Sequence, residues 1–236
     1  MNYLLVVILW AAYCALHSFL ISVRFTALMT RLLKNYYAFY RLFYVVISFI
    51  LLVPLIRFTG EFESPVIMTY DAPLSVARYA LISGALLLFF WAFFFDYDSL
   101  SFFGIRQMLN FGKPTAATPG ELKRSGLLGM VRHPMYLALI IYLWCQTFRM
   151  MDLVINTLLT VYVLIGTWLE ERKLVLEFGE AYLRFQREVP MLIPFAKVTA
   201  TRSLRITAPR SLLSRSRDYG KLCFTRSFIW PGSAKP

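Results

Sequence analysis

Five apolar stretches divide the chain, at residues 3–23, 40–56, 76–95, 136–148 and 153–169. None alternates with period two, and polar residues gather between the stretches rather than along one face of them. A helix that is apolar all round is buried in protein or in lipid. Four stretches approach the ~17–25 residues with which a helix crosses a bilayer. The fourth is shorter. At about 1.5 Å per residue it rises roughly 20 Å, against a hydrocarbon core of about 30 Å. The fourth and fifth together read as an antiparallel helical hairpin turning at Arg149-Met150-Met151-Asp152, shielded in part by the other helices.

The polar connections carry further signals. Residues 96–132 are too many for a simple turn. Within them, 100–109 is partly apolar and suits an interfacial segment, and 112–120, with Pro114 and Pro119, reads as loop. Thr118-Pro119-Gly120-Glu121 has the form of a helix start, with Thr118 as cap and Pro119 in the first turn. After Ile193 helical periodicity weakens and Ser, Pro and basic residues accumulate. The chain therefore divides into a membrane domain, 1–196, and a basic tail, 197–236, expected to be mobile and to touch anionic lipid. No internal repeat is present.

Composition supports a membrane class. The 236 residues are 58% hydrophobic and 16% charged, with a mean hydropathy of +0.59. A soluble domain carries about 25% charge. The net charge of +12 is concentrated in the tail and the connections, where it fits a cytoplasmic membrane face and lipid rather than nucleic acid. Cys14, Cys145 and Cys223 lack metal-ligand spacing, so neither a structural disulfide nor a metal site is expected. Residues 1–22 have no basic leader and no small-residue cleavage motif, and read as a retained span.

Basic residues orient the spans. Arg24, Arg31, Lys34 and Arg41 fill the first connection without an acid, whereas the second holds Glu61, Glu63 and Asp71 against Arg57 and Arg78. Five spans with the N-terminus outside place every basic connection and the C-terminus in the cytoplasm. Arg132-His133-Pro134-Met135-Tyr136 and Glu170-Glu171 then meet at the cytoplasmic end of the hairpin. Polar groups gathered at a membrane surface cost desolvation unless they bind something. Arg132 can take a carboxylate or phosphate bidentately, His133 can donate or accept, Tyr136 can stack, and Glu170 and Glu171 can accept from a ribose or attract a cation. Ordinary boundary residues would have the same spacing, and spacing alone leaves both readings open. His17, inside the first span, is either a functional ionisable group or an interhelical hydrogen-bond partner. Asp96 and Asp98 read as boundary residues.

Taken whole, Arg132-His133-Pro134-x-Tyr136, Glu170-Glu171, Phe178-Gly179-x-x-Tyr182 and Val189-Pro190-x-x-x-Pro194 resemble the isoprenylcysteine carboxyl methyltransferase superfamily over about residues 103–195. That superfamily includes phospholipid methyltransferases, membrane thiol (methanethiol) S-methyltransferases and NnrU-like proteins. Ala15-Leu16-His17-Ser18, Tyr40-Arg41-Leu42-Phe43-Tyr44 and Phe103-Gly104-Ile105-Arg106-Gln107 look nearest the NnrU-like and thiol-methyltransferase branch.

The resemblance implies an all-α, polytopic integral membrane methyltransferase of about five transmembrane helices, with a C-terminal helical hairpin and a cytoplasmic S-adenosyl-L-methionine site. It places His133, Pro134, Tyr136, Glu170 and Glu171 at the cofactor, with Tyr182 in a segment closing over it, and gives Arg132, His133 and Glu171 catalytic parts. Gly126 and Gly129 are spaced differently from the family's Gly-x-Gly element. Where the prenylcysteine enzymes carry Arg before Val-Pro, this chain has Glu188, with Arg187 one place earlier as the candidate substrate contact, and Phe185 replaces a Tyr. An acid there repels a carboxylate substrate.

The implied function is methylation of a small thiol or another membrane-partitioned, lipid-like acceptor, in a bacterial cytoplasmic membrane. Such an in-line displacement needs alignment and exclusion of water more than a covalent nucleophile. A thiol acceptor reacts as thiolate, which Arg132 or His133 would favour. The alternatives are an NnrU-like, non-catalytic protein of nitrogen-oxide metabolism and a phospholipid or isoprenylcysteine methyltransferase. Nicotinamide-dependent reduction, as in sterol reductases, asks for more spans than this chain has.

Overall fold

The computed structural model describes residues 2–111, 124, 126–146 and 148–194. The expected helix start at Thr118-Pro119, the tail from 197 onward and Cys223 lie outside these described residues.

The architecture is all-α and polytopic, with one small ribbon. Helix α1 spans Asn2–Ile21. Ser22 breaks it and caps α2, Val23–Leu33, accepting from the Phe25 amide. A 3₁₀ segment, Lys34–Phe39, leads into α3, Tyr40–Gly60. The first connection is thus helical, and its basic residues stand on a formed element rather than on a loop. Helix α4, Leu74–Trp91, continues through a π-helical turn, Ala92–Asp96. Two short helices follow, α5 (Ser99–Phe102) and α6 (Ile105–Leu109), in the segment expected to be interfacial. Beyond a 3₁₀ turn at Gly126–Gly129 come α7 (Pro134–Trp144), α8 (Met150–Phe178) and α9 (Glu180–Glu188).

Among the described residues, four helical stretches are long and apolar enough to cross a membrane: Tyr3–Ile21, Val23–Gly60, Leu74–Asp96 and Met150–Phe178. Helix α7, with 11 residues, rises only about 16 Å and packs along α4. Large side chains such as Ile50, Leu87, Phe94 and Ile165 stand exposed on the outer faces. Lipid solvates such faces and water does not.

The hairpin turn differs from its expected form. Helix α7 stops at Trp144, four residues before the end of the expected apolar span. Strand β2 (Phe148–Arg149) then pairs antiparallel with β1 (Val66–Met68). Arg149 does not sit in a turn. It donates from its backbone amide and its Nε to Asp152 Oδ2, at 3.0 and 3.1 Å, and so fixes the start of α8. Periodicity cannot reveal a strand of two or three residues.

The packing has two ends. At the ribbon end, Val6 and Trp10 of α1 meet Met151 and Ile155 of α8, and Trp10 Nε1 donates to Thr59 Oγ1 at 3.1 Å. At the other end, Tyr40 and Tyr44 of α3 pack with Leu20 and Phe103. Between them His17 is engaged at both ring nitrogens, by Tyr44 Oη at 2.6 Å and Ser48 Oγ at 3.2 Å. It is an interhelical hydrogen-bond partner. The start of α7 and the last turns of α8 lie side by side at the end opposite the ribbon, and there the polar residues collect.

Candidate functional site

His133 precedes α7, and Pro134 starts that helix, where a proline costs no hydrogen bond. The Arg132 and His133 backbone amides donate to the carbonyls of Pro190 and Met191, at 3.0 and 3.2 Å. The segment after α9 thereby clamps the start of the hairpin. Helix α8 runs past its apolar stretch and carries Glu170 and Glu171 on adjacent faces.

Glu171 is the hub. Its carboxylate takes Arg132 Nε on Oε1 at 2.6 Å and Arg132 Nη2 on Oε2 at 2.9 Å. His133 Nε2 donates to Oε1 at 3.2 Å, Tyr182 Oη to Oε1 at 3.3 Å, and Gln186 Nε2 to Oε2 at 2.9 Å. A carboxylate offers about four lone-pair sites, and all are taken. Arg132 spends its Nη1 on the carbonyls of Gln186 and Val189, at 3.0 and 2.6 Å. Arg132 and Glu171 are 9% and 8% exposed, so a ligand has little access to either. This geometry ties α7, α8 and α9 together through the Arg132–Glu171 pair.

Glu170 differs. Among the described residues its hydrogen-bond donor is Tyr136 Oη, at 2.8 Å on Oε2, and its side chain is 16% exposed. The rings of His133 and Tyr136 stack, with centroids 5.5 Å apart and planes at 16°. His133 Nε2 is engaged by Glu171, and Nδ1 is the ring nitrogen nearer Glu170. Nδ1 lies 3.9 Å from Glu170 Oε2, too far for a hydrogen bond. The Glu170 carboxylate, the His133 ring and the Tyr136 ring therefore lie together. That grouping suits a cation or a group rich in donors.

Tyr182 is 1% exposed and packs with Phe185, Leu174 and Val189. Burial and the neighbouring Glu171 push its phenol up, so it stays a donor. Arg187 is exposed on α9, and helical spacing turns it away from the face that holds Tyr182 and Gln186. The structure does not bring it to the other site residues. Glu188 is held from outside by Arg124 Nη1 at 3.0 Å, and the Arg124 guanidinium lies over the Phe185 ring at 5.5 Å.

Four residues have parts that the sequence reading did not assign. Asp96 is buried and accepts from the Leu127 amide at 3.3 Å. Gly126 has φ +68°, and a Cβ there would collide with Asp96 Oδ1. Gly126 thus admits the 3₁₀ turn against the carboxylate, a part that its spacing alone did not reveal. Tyr97, next in sequence, is pushed up by burial and by the carboxylates of Glu170 and Asp96. Gln186 completes the shell of Glu171. The aromatic-acid cluster Phe95-Asp96-Tyr97 after a long apolar run was the available signal. Asp98, by contrast, caps α5 and pairs with Arg106 Nε at 2.9 Å, as a boundary residue does.

Fold and site together define a polytopic α-helical membrane protein with a carboxylate-lined site at one end of its helices. Three curated proteins are similar to this chain. Methanethiol S-methyltransferase of Pseudomonas deceptionensis is 39% identical over 93 residues, covering 39% of this chain and 36% of that protein. The protein of the same name from Crocosphaera subtropica is 36% identical over 94 residues, 39% of this chain and 37% of the relative. Methanethiol S-methyltransferase 1 of Bradyrhizobium diazoefficiens is 34% identical over 116 residues, 49% of this chain and 40% of the relative. These names support the membrane-methyltransferase branch of the resemblance. The chain spans about two fifths of the length of the curated relatives it matches. No family model matches, and no solved structure does.

Proposed function

We propose that this chain is a membrane methyltransferase that moves a methyl group from S-adenosyl-L-methionine to a small thiol such as methanethiol. The observation that carries the reading is the similarity to three proteins named for that reaction. The site supports it, because its free acceptors fit the donor. Glu170, more exposed than Glu171, is a hydrogen-bond acceptor suited to an ammonium or to ribose hydroxyls, and the partly exposed Tyr136 ring beside it suits an adenine.

When bound, the cofactor supplies a methyl group activated on a sulfonium. Glu170 adds negative charge beside that cation. Tyr136 fixes the carboxylate, and the clamp of residues 189–191 on Arg132 and His133 limits water. In-line transfer then depends on holding two partners in register, which a rigid hairpin base provides.

The end bearing the site also bears Arg24, Arg31, Lys34, Arg41 and Arg106, while the ribbon end mixes Arg57, Arg78 and Arg149 with Glu61, Glu63, Asp71 and Asp152. Charge asymmetry therefore favours a cytoplasmic site, with the ribbon and the N-terminus outside, in a bacterial cytoplasmic membrane. The basic tail adds attraction to anionic lipid.

The test is calorimetry of S-adenosyl-L-methionine on detergent-purified protein, followed by assay of dimethyl sulfide formed from methanethiol. Micromolar binding and thiol-dependent product are expected. Absence of binding would favour the NnrU-like, non-catalytic alternative, and binding with transfer to phospholipid alone would favour lipid methylation.

A further inference from the structure

A pocket lies beside the site. Its walls include Thr26 of α2, Tyr40, Arg41 and Tyr44 of α3, Gln107 of α6 and Lys173 of α8. The two N-terminal motifs, Tyr40-Arg41-Leu42-Phe43-Tyr44 and Phe103-Gly104-Ile105-Arg106-Gln107, are 60 residues apart in sequence and meet here. Gly104 makes the meeting possible. It has φ +80°, and a Cβ would lie 2.9 Å from the Leu42 nitrogen and 3.0 Å from Arg41 Cβ. Arg41 Nε donates to the Phe102 carbonyl at 2.9 Å and locks the same junction.

The pocket has a distinct chemistry. Two cationic side chains, Arg41 and Lys173, stand on a wall otherwise made largely of tyrosine rings and aliphatic groups. Gln107 Oε1 is buried with no hydrogen-bond partner. An orphaned buried acceptor costs about 1–3 kcal/mol unless a donor reaches it, so it points to a ligand that brings one. Lys173 sits one helical turn after Glu170, close enough to feel its charge. The pocket thus borders the proposed donor site through α8.

We propose that this pocket seats the methyl acceptor, a small thiol that is held as its thiolate by Arg41 and Lys173. The assignment rests on the thiol-methyltransferase reading above. The neutral thiol enters with its S–H toward Gln107 Oε1. On ionisation the proton passes to bulk water, and the two cations hold the anion. The tyrosine rings suit a polarizable sulfur, and the confined, largely apolar walls suit a short alkyl group. In the transfer the thiolate sulfur forms a bond to the donor's methyl carbon as the sulfonium C–S bond breaks. The electron pair of that bond stays on the departing sulfur, and both products are neutral at sulfur. A neutral thioether is no longer held by the two charges, which favours release.

Lys173→Gln and Gln107→Glu, in the purified full chain, test the assignment from two different elements. Methanethiol saturation kinetics and S-adenosyl-L-methionine calorimetry are measured for each, at about pH 7 and about pH 10. Loss of one half-buried charge is expected to raise KM for the thiol about tenfold at the lower pH, and the added carboxylate to raise it further. Cofactor affinity stays within about twofold, since neither side chain contacts the donor. The Lys173→Gln deficit shrinks at the higher pH, where a much larger share of the thiol is ionised in water. An unchanged KM in both variants, or a KM change matched by an equal loss of cofactor affinity, would overturn the assignment. Wild-type protein that binds the cofactor and methylates no thiol sinks the thiol reading and the pocket with it. Wild-type protein that binds no cofactor sinks the methyltransferase reading itself.

Discussion

Arg132 grips Glu171 through two bonds of 2.6 and 2.9 Å inside a nearly dry shell, and the pair joins the start of α7 to the end of α8. Removing one partner of a buried ion pair strands the other, at a cost of about 3–5 kcal/mol. Glu171→Ala and Arg132→Ala are expected to melt at clearly lower temperature in detergent. A double variant replacing both with Met should recover part of that loss, which thermal melting monitored by far-UV circular dichroism would reveal.

Glu170→Gln should behave in the opposite way. Among the described residues Glu170 is held by a single hydrogen-bond donor, Tyr136 Oη, so its neutral isostere keeps the fold and removes a charge. Melting is expected to change little. Cofactor affinity should fall at least tenfold, as for loss of a charge-assisted contact worth about 1.5–3 kcal/mol. A variant that binds as tightly as wild type would show that the donor sits elsewhere.

Tyr182→Phe removes one of five donors from Glu171 and leaves the ring in its packing. Loss of one hydrogen bond in a network of this kind costs about 0.5–1.5 kcal/mol. Slower thermal inactivation than in Glu171→Ala, with cofactor binding retained, is the expected result. Gln186→Ala should act alike, since its Nε2 meets the same carboxylate at 2.9 Å.

Gly126→Ala tests the support beneath the site. The residue combines φ +68° with direct contact to Asp96, so a methyl group meets both backbone strain and a clash, about 1–3 kcal/mol together. The expected signature is a lower melting temperature, and an unaltered one would mean that the turn moves freely.

Arg149→Ala provides a control at the far end. It removes the guanidinium bonds to Asp152 and leaves the backbone amide bond in place, costing about 0.2–1 kcal/mol. Stability should drop while cofactor affinity and thiol kinetics stay at the wild-type level.

Much of the fold was legible because lipid-facing helices have few alternatives. Every backbone group must be satisfied within the segment, and the runs around Leu87 or Ile165 announce that directly. The meeting of His133 with Glu170 and Glu171 followed from an antiparallel hairpin. The ribbon of Val66–Met68 with Phe148–Arg149 was not legible, because so short a pairing depends on where two distant loops are delivered. Neither was the difference between the two glutamates. It arises from α9, which swings Tyr182 and Gln186 onto Glu171 and leaves Glu170 alone, and only the angle between α8 and α9 decides that.

Under the proposed function, two neighbouring carboxylates hold different offices, one mortar and the other tool. Among sequences related to this one, keeping the partner pair Arg132 and Glu171 would testify only that the hairpin still closes. A chain that preserved both but exchanged Glu170 and Tyr136 for inert residues would be a sound building with nobody at work in it. Position 170, rather than the motif as a whole, is the place to read whether a relative still has an occupation.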